Sequence, residues 1–184
     1  MMCPDELLAD LISSQVTDSE RELLLEGYIN EYPDDYRLFF LLGSSYIETR
    51  NLTLAYGHLK KSVELNPNYT LGLFQLGLFE LTSGDVHHAF QTWEHLRKTE
   101  PIEYISKAVE GFVALVNDNF SHAIKAFQAS CANNNSNAPL KANLQLLITE
   151  LKTIDVLSDH DEPGDLRMSE ASLLLKHKSD PSKQ

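Results

Sequence analysis

Seven histidines (His58, His87, His88, His95, His122, His160, His177) and two cysteines (Cys3, Cys131) have the chemistry to hold a metal, move a proton or act as a nucleophile. None of the histidines stands at a spacing from a carboxylate or thiol that builds a known metal or catalytic site. His87 and His88 are adjacent, so on a helix they point in different directions. The cysteines lie far apart and in no metal spacing, which reads as two reduced thiols. The chain has no Gly-rich phosphate loop, no serine-nucleophile elbow and no paired-acid motif. "NLT", "NYT" and "NFS" fit the glycosylation acceptor pattern, but they read as turn and cap residues of a cytoplasmic chain. The sequence therefore predicts no enzyme, no cofactor and no metal, and function must be sought in surface shape.

Charge narrows the partners. The 184 residues carry a formal charge of −12, which opposes phosphate backbones and anionic membranes, so no nucleic acid and no membrane surface is expected. No run approaches the roughly 18 apolar residues of a membrane span. "MMCPDELLAD" lacks the basic and apolar regions of a signal peptide, so a cytoplasmic location is expected.

What positions the surface is a repeat. Gly43, Gly77 and Gly111 are each 34 residues apart, as are Ala55, Ala89 and Ala123, and Pro33, Pro67 and Pro101. Within each unit apolar residues recur at helical spacing on both sides of a short break, at Arg50-Asn51, Gly84-Asp85 and Asp118-Asn119. Each unit is then a helix, a tight turn and a second helix. Small residues let the two backbones approach closely, and the proline stops the second helix.

With these residues the chain resembles the tetratricopeptide repeat family, in its small bacterial-type members. Residues 36–69 match with Phe39, Leu42, Gly43, Tyr46, Ala55, Leu59, Ser62 and Pro67. Residues 70–103 match with Leu73, Leu76, Gly77, Ala89, Trp93, Leu96 and Pro101, but carry Glu80 where the family prefers Tyr. Residues 104–137 form a degenerate repeat with Gly111, Ala114, Ala123, Phe127 and Ser130. There Lys107 and Glu110 stand at apolar places, and Asn135 replaces Pro. Residues 2–35 read as a divergent first repeat, in which Asp5 and Arg21 break the pattern and Thr17 with Glu20 forms a capping box. The fold class implied is all-α, a right-handed α-solenoid.

Beyond the repeats, "CANNNSNAP" is a polar loop, and Pro139 suits the first turn of a capping helix over 138–157. Leu140, Leu144, Leu147, Leu151 and Ile154 form its apolar stripe, which covers the face a missing neighbour would leave exposed. Residues 158–184 read as a mobile tail, in which "SLLLKHK" (Ser172 to Lys178) is a candidate docking helix.

The resemblance also implies a binding surface. In the family, the second, fifth, ninth and twelfth residues of each unit face a concave groove. Here those are Arg37, Phe40, Ser44 and Ile47, then Leu71, Phe74, Leu78 and Leu81, then Ile105, Ala108, Phe112 and Leu115. Phe39 is expected to pack inside and Phe40 to face outward, an arrangement repeated in "LFQLGLFEL". The family's carboxylate clamp for chaperone tails is absent, because its places hold Phe40, Ser44, Leu78, Ile105 and Val109. The expected partner is a peptide or helical segment of another protein, or a second copy in a homodimer. The leading reading is an adaptor. The alternatives are a chaperone-like protein of type III secretion translocators and a self-assembling scaffold.

Overall fold

The structure, a computed structural model, describes residues 1–13, 16–99 and 101–158. Among them the regular elements are α-helices: α1 (Asp5–Ser13), α2 (Asp18–Glu31), α3 (Tyr36–Glu48), α4 (Leu52–Leu65), α5 (Thr70–Thr82), α6 (Val86–Arg97), α7 (Glu103–Val116), α8 (Phe120–Asn133) and α9 (Ala138–Ser158). The all-α class is the one read from the sequence. Ser158 ends α9, and the rest of the expected tail, with its "SLLLKHK" segment, lies outside the described residues. The chain divides into two compact units within α5, the first ending at Phe79 and the second beginning at Glu80.

In the first unit Cys3, Leu8 and Leu11 join Leu25 and Tyr32 of the second helix region and Leu38, Leu42 and Tyr46 of α3 in one core. Helix α2 starts at the expected capping box, where the Glu20 amide donates to Thr17 Oγ1 at 3.3 Å and the Thr17 amide to Glu20 Oε2 at 2.9 Å. Helices α3 and α4 pack at the small-residue ladder. Ala55 is wholly buried, and a Cβ on Gly43 would stand 2.9 Å from Leu59 Cγ and 3.0 Å from its amide nitrogen. Ser62 Oγ, also wholly buried, donates to the Tyr36 carbonyl at 2.8 Å and ties the pair's open ends.

The second unit repeats these devices. A Cβ on Gly111 of α7 would collide with the ring of Phe127 on α8, and Ala123 is wholly buried. Ser130 Oγ donates to the Tyr104 carbonyl at 2.7 Å. On α6 the equivalent place holds Leu96, which is fully buried instead. Of the expected stripe of α9, Leu144, Leu147 and Leu151 are buried and Leu140 is partly buried, and Ile148, which the stripe did not include, is buried beside them. The side chain of Ile154 lies outside the described ones. In the polar loop before α9, buried Asn134 accepts the Asn137 amide at 2.8 Å and donates to the Asn137 carbonyl at 2.8 Å. A side-chain turn thus replaces the missing proline.

All three breaks share one geometry. Arg50, Gly84 and Asp118 lie at φ 64°, 89° and 55°. The amides that follow, of Asn51, Asp85 and Asn119, each donate at 2.9 Å to the carbonyl five residues back, closing a Schellman turn. Only the middle turn has the glycine that this conformation favours. Asp118 bears a second burden, since its Oδ1 is buried without a hydrogen-bond partner among the described residues. Asp118→Gly should therefore raise stability by about 1 kcal/mol, the steric cost of a left-handed L-residue less the glycine's chain entropy. Thermal melts of the two chains check this, and a lower melting temperature would show that the carboxylate earns its place.

Candidate protein-binding surface

The groove register begins on α3 with Arg37, whose side chain is committed elsewhere. Its Nε donates to Asp35 Oδ1 at 3.0 Å and its Nη2 to Asp35 Oδ2 at 2.7 Å. Nη2 also reaches the Cys3 carbonyl at 2.6 Å, and Nη1 pairs with Asp5. Asp35 is the N-cap of α3 and is 0% exposed; besides Arg37 it accepts the Cys3 amide at 2.8 Å. Burial alone would push its carboxyl up, but the Arg37 side chain and the Cys3 and Arg37 amides outweigh that and hold it below the usual carboxylate range. The same ion pair raises Arg37, which stays charged. Arg37 thus anchors the residues before α1 and does not line an open groove, a correction to the expectation. Asp35 was missed, although an Asp immediately before an apolar helix is a cap signal.

Further along α3 the side chains differ in burial. Phe39 is buried against His58, ring centroids 5.9 Å apart, and burial pushes the His58 imidazole below its usual value. Phe40 is partly buried and meets the edge of Tyr69 at 5.3 Å. Ser44 and Ile47 are partly buried, Ile47 against the core of the unit. On α5, Leu71 and Leu78 are partly buried, but Phe74 is only 4% exposed. With Leu73 also buried, "LFQLGLFEL" does not repeat the one-in, one-out arrangement of Phe39 and Phe40.

In the second unit the expectation fails. Leu81, Ile105, Ala108, Phe112 and Leu115 are all buried. Phe112 lies against Trp93 at 5.9 Å and against the edge of Phe127 at 5.0 Å, so it belongs to the core. The physical reason is that eight of the fourteen residues of α7 are buried, on more than one face. Glu80, the departure from the family pattern, is buried and accepts a hydrogen bond from Thr92 Oγ1 at 2.8 Å.

Lys107 and Glu110, the misfits of the third repeat, pair with each other at 2.8 Å, and Glu110 also meets His122 Nε2 at 3.0 Å. The Lys107 hydrogen bond holds the Glu110 carboxyl below its usual range against partial burial. Glu110 and His122 help to line a cavity of about 360 Å³, together with Val109, Val113, Ala114, Arg97 and Asn117. The cluster's charged groups are spent on one another, as helix ties. His88 likewise bonds Asp85, the N-cap of α6, at 2.7 Å. Among the described residues no group of three or more His, Cys, Asp or Glu could hold a metal ion, and no helix is long and apolar enough to cross a membrane.

No family model matches the chain. A TPR repeat-containing protein of Pseudomonas aeruginosa is 34% identical over 70 residues, 38% of this chain and 67% of the relative. The chain belongs to the tetratricopeptide repeat family. Solved structures of MamA share its fold: the MamA RS-1 ArsTM double mutant has a TM-score of 0.51 at 13% identity, over 89% of this chain and 87% of that one. For MamA MSR-1 C2 the TM-score is 0.51 at 15% identity, over 96% and 95%. This tetratricopeptide repeat protein is thus an all-helical protein–protein interaction repeat protein of the α-solenoid class.

Proposed function

We propose that the protein is a non-catalytic cytoplasmic adaptor that binds a peptide or helical segment of another protein along the apolar strip of α3 and the start of α5. The observation that supports this is the contrast within the groove register. Phe40, Ser44, Ile47 and Leu71 keep part of their surface open, whereas Ile105 and Phe112 are buried and unavailable. Partly open apolar side chains at helical spacing suit a partner that inserts its own apolar residues.

The test places a photo-crosslinker at Ser44 and, as a control, at exposed Lys60 on α4. Capture of a partner at Ser44, lost in Leu71→Glu while the melting temperature holds, is the expected result. The variant should weaken that partner by about 2 kcal/mol, as loss of a binding hot spot does. Capture at Lys60 alone would refute the reading. A wild-type oligomer converted to monomer by Leu71→Glu would point instead to the self-assembling scaffold.

A further inference from the structure

Helix α2 is apolar on two sides. Leu25 is 1% exposed, in the core beside Tyr28 and Ile29, whereas the adjacent Leu23 and Leu24 are 70% and 43% exposed. Glu20, Leu24, Gly27 and Glu31 follow helical spacing and are all exposed, so they form one outward stripe, and exposed Leu23, turned away from its neighbour Leu24, flanks it on the other side. Nothing lies within 4 Å of the Cβ position at Gly27, which leaves the middle of the stripe open to a close approach. Burying this leucine pair is favourable, and the opposite face of the helix, which carries Leu25, is already packed.

The charge around the stripe selects its occupant. Residues 1–35 contain ten carboxylates and one arginine, a formal −9 against −12 for the whole chain. The cations at hand are committed, Arg21 to Asp18 and Arg37 to Asp35 and Asp5. A second copy meeting this face through the same face would set −9 against −9. An uncharged partner would strip water from Glu20 and Glu31 without compensation.

We propose that the outer face of α2 docks a basic amphipathic segment of another protein, with apolar side chains on Leu23 and Leu24 and lysines or arginines toward Glu20 and Glu31. This surface is distinct from the α3 strip, and the inference stands without it. Leucine contacts would hold the segment in register, while the carboxylates steer it in and make binding salt-sensitive.

The probe is a short fluorescent Leu/Lys amphipathic helix, with a Leu/Glu helix of the same pattern as control, titrated against the full chain. The expected result is binding of the Leu/Lys helix alone, weakened by added salt. Leu23→Ser/Leu24→Ser should weaken it about tenfold with no loss of melting temperature, since both leucines are exposed. Leu71→Glu should leave it unchanged. Binding that survives the double substitution, or equal binding of both helices, overturns the proposal. So does a wild-type dimer that becomes monomeric in the double variant, which would assign the face to a second copy.

Discussion

Phe112→Ala will destabilise the protein by about 3–5 kcal/mol, as severely as Phe127→Ala. Phe112 is 5% exposed and lies between two large rings, Trp93 at 5.9 Å and Phe127 at 5.0 Å. Both neighbours are fully buried, and Phe127 is also held against Gly111, so the space left by a missing phenyl ring has little freedom to close. Loss of transfer energy and a persistent cavity then add. Phe40→Ala should cost distinctly less, because Phe40 keeps part of its surface in solvent. Urea melts of the three variants decide the matter. A cost at Phe112 below that at Phe40 would return Phe112 to an open surface and undo the placement of α7 in the core.

That contrast shows what a period of 34 residues reveals. It repeats wherever the same close approach recurs, so Gly43 and Gly111 were legible in the sequence as packing points, and the structure sets Leu59 and Phe127 against them. So were the wholly buried Ala55, Ala89 and Ala123. The period also fixes the direction in which a side chain leaves its helix. It does not fix what fills the space beyond. Ile105, Ala108, Phe112 and Leu115 leave α7 in the same direction as Arg37, Phe40, Ser44 and Ile47 leave α3, yet only those of α7 are all buried. A signal existed in "YISKAVEGFVALV": buried Tyr104 and Val109 lie off the groove positions, and a helix apolar on several faces is enclosed on several faces. The Lys107 and Glu110 misfits hid it, because their compensation is a mutual ion pair that spacing alone does not reveal. The outward leucines of α2 stand in the run "LLL" beside buried Leu25, and three successive leucines do not themselves show which one faces the core.

Arg37 was misread for a different reason. Its partners include the Cys3 carbonyl, 34 residues away, and no local pattern announces a contact of that range. The energetic weight of the arrangement rests on Asp35, a fully buried charge that caps α3, neutralises Arg37 and accepts the Cys3 amide. Asp35→Ala removes all three at once and leaves Arg37 with the exposed carboxylate of Asp5. The expected loss is about 3 kcal/mol at neutral pH, the low end for breaking a buried pair because Arg37 keeps a partner.

The pH dependence separates this charge effect from simple loss of a cap. The folded-state carboxyl of Asp35 is depressed, so its stabilisation is complete above the ordinary carboxylate value near 4 and disappears as pH falls through the lower folded value. The gap between wild type and Asp35→Ala should therefore be wide at neutral pH and shrink in acid below about pH 4. Hydrogen exchange at the Cys3 amide gives a local readout, since that donor loses its acceptor in the variant and should exchange faster. A stability gap that stays constant into acid, with Cys3 still protected, would mean that the Asp35 charge does not hold the N-terminal segment to α3.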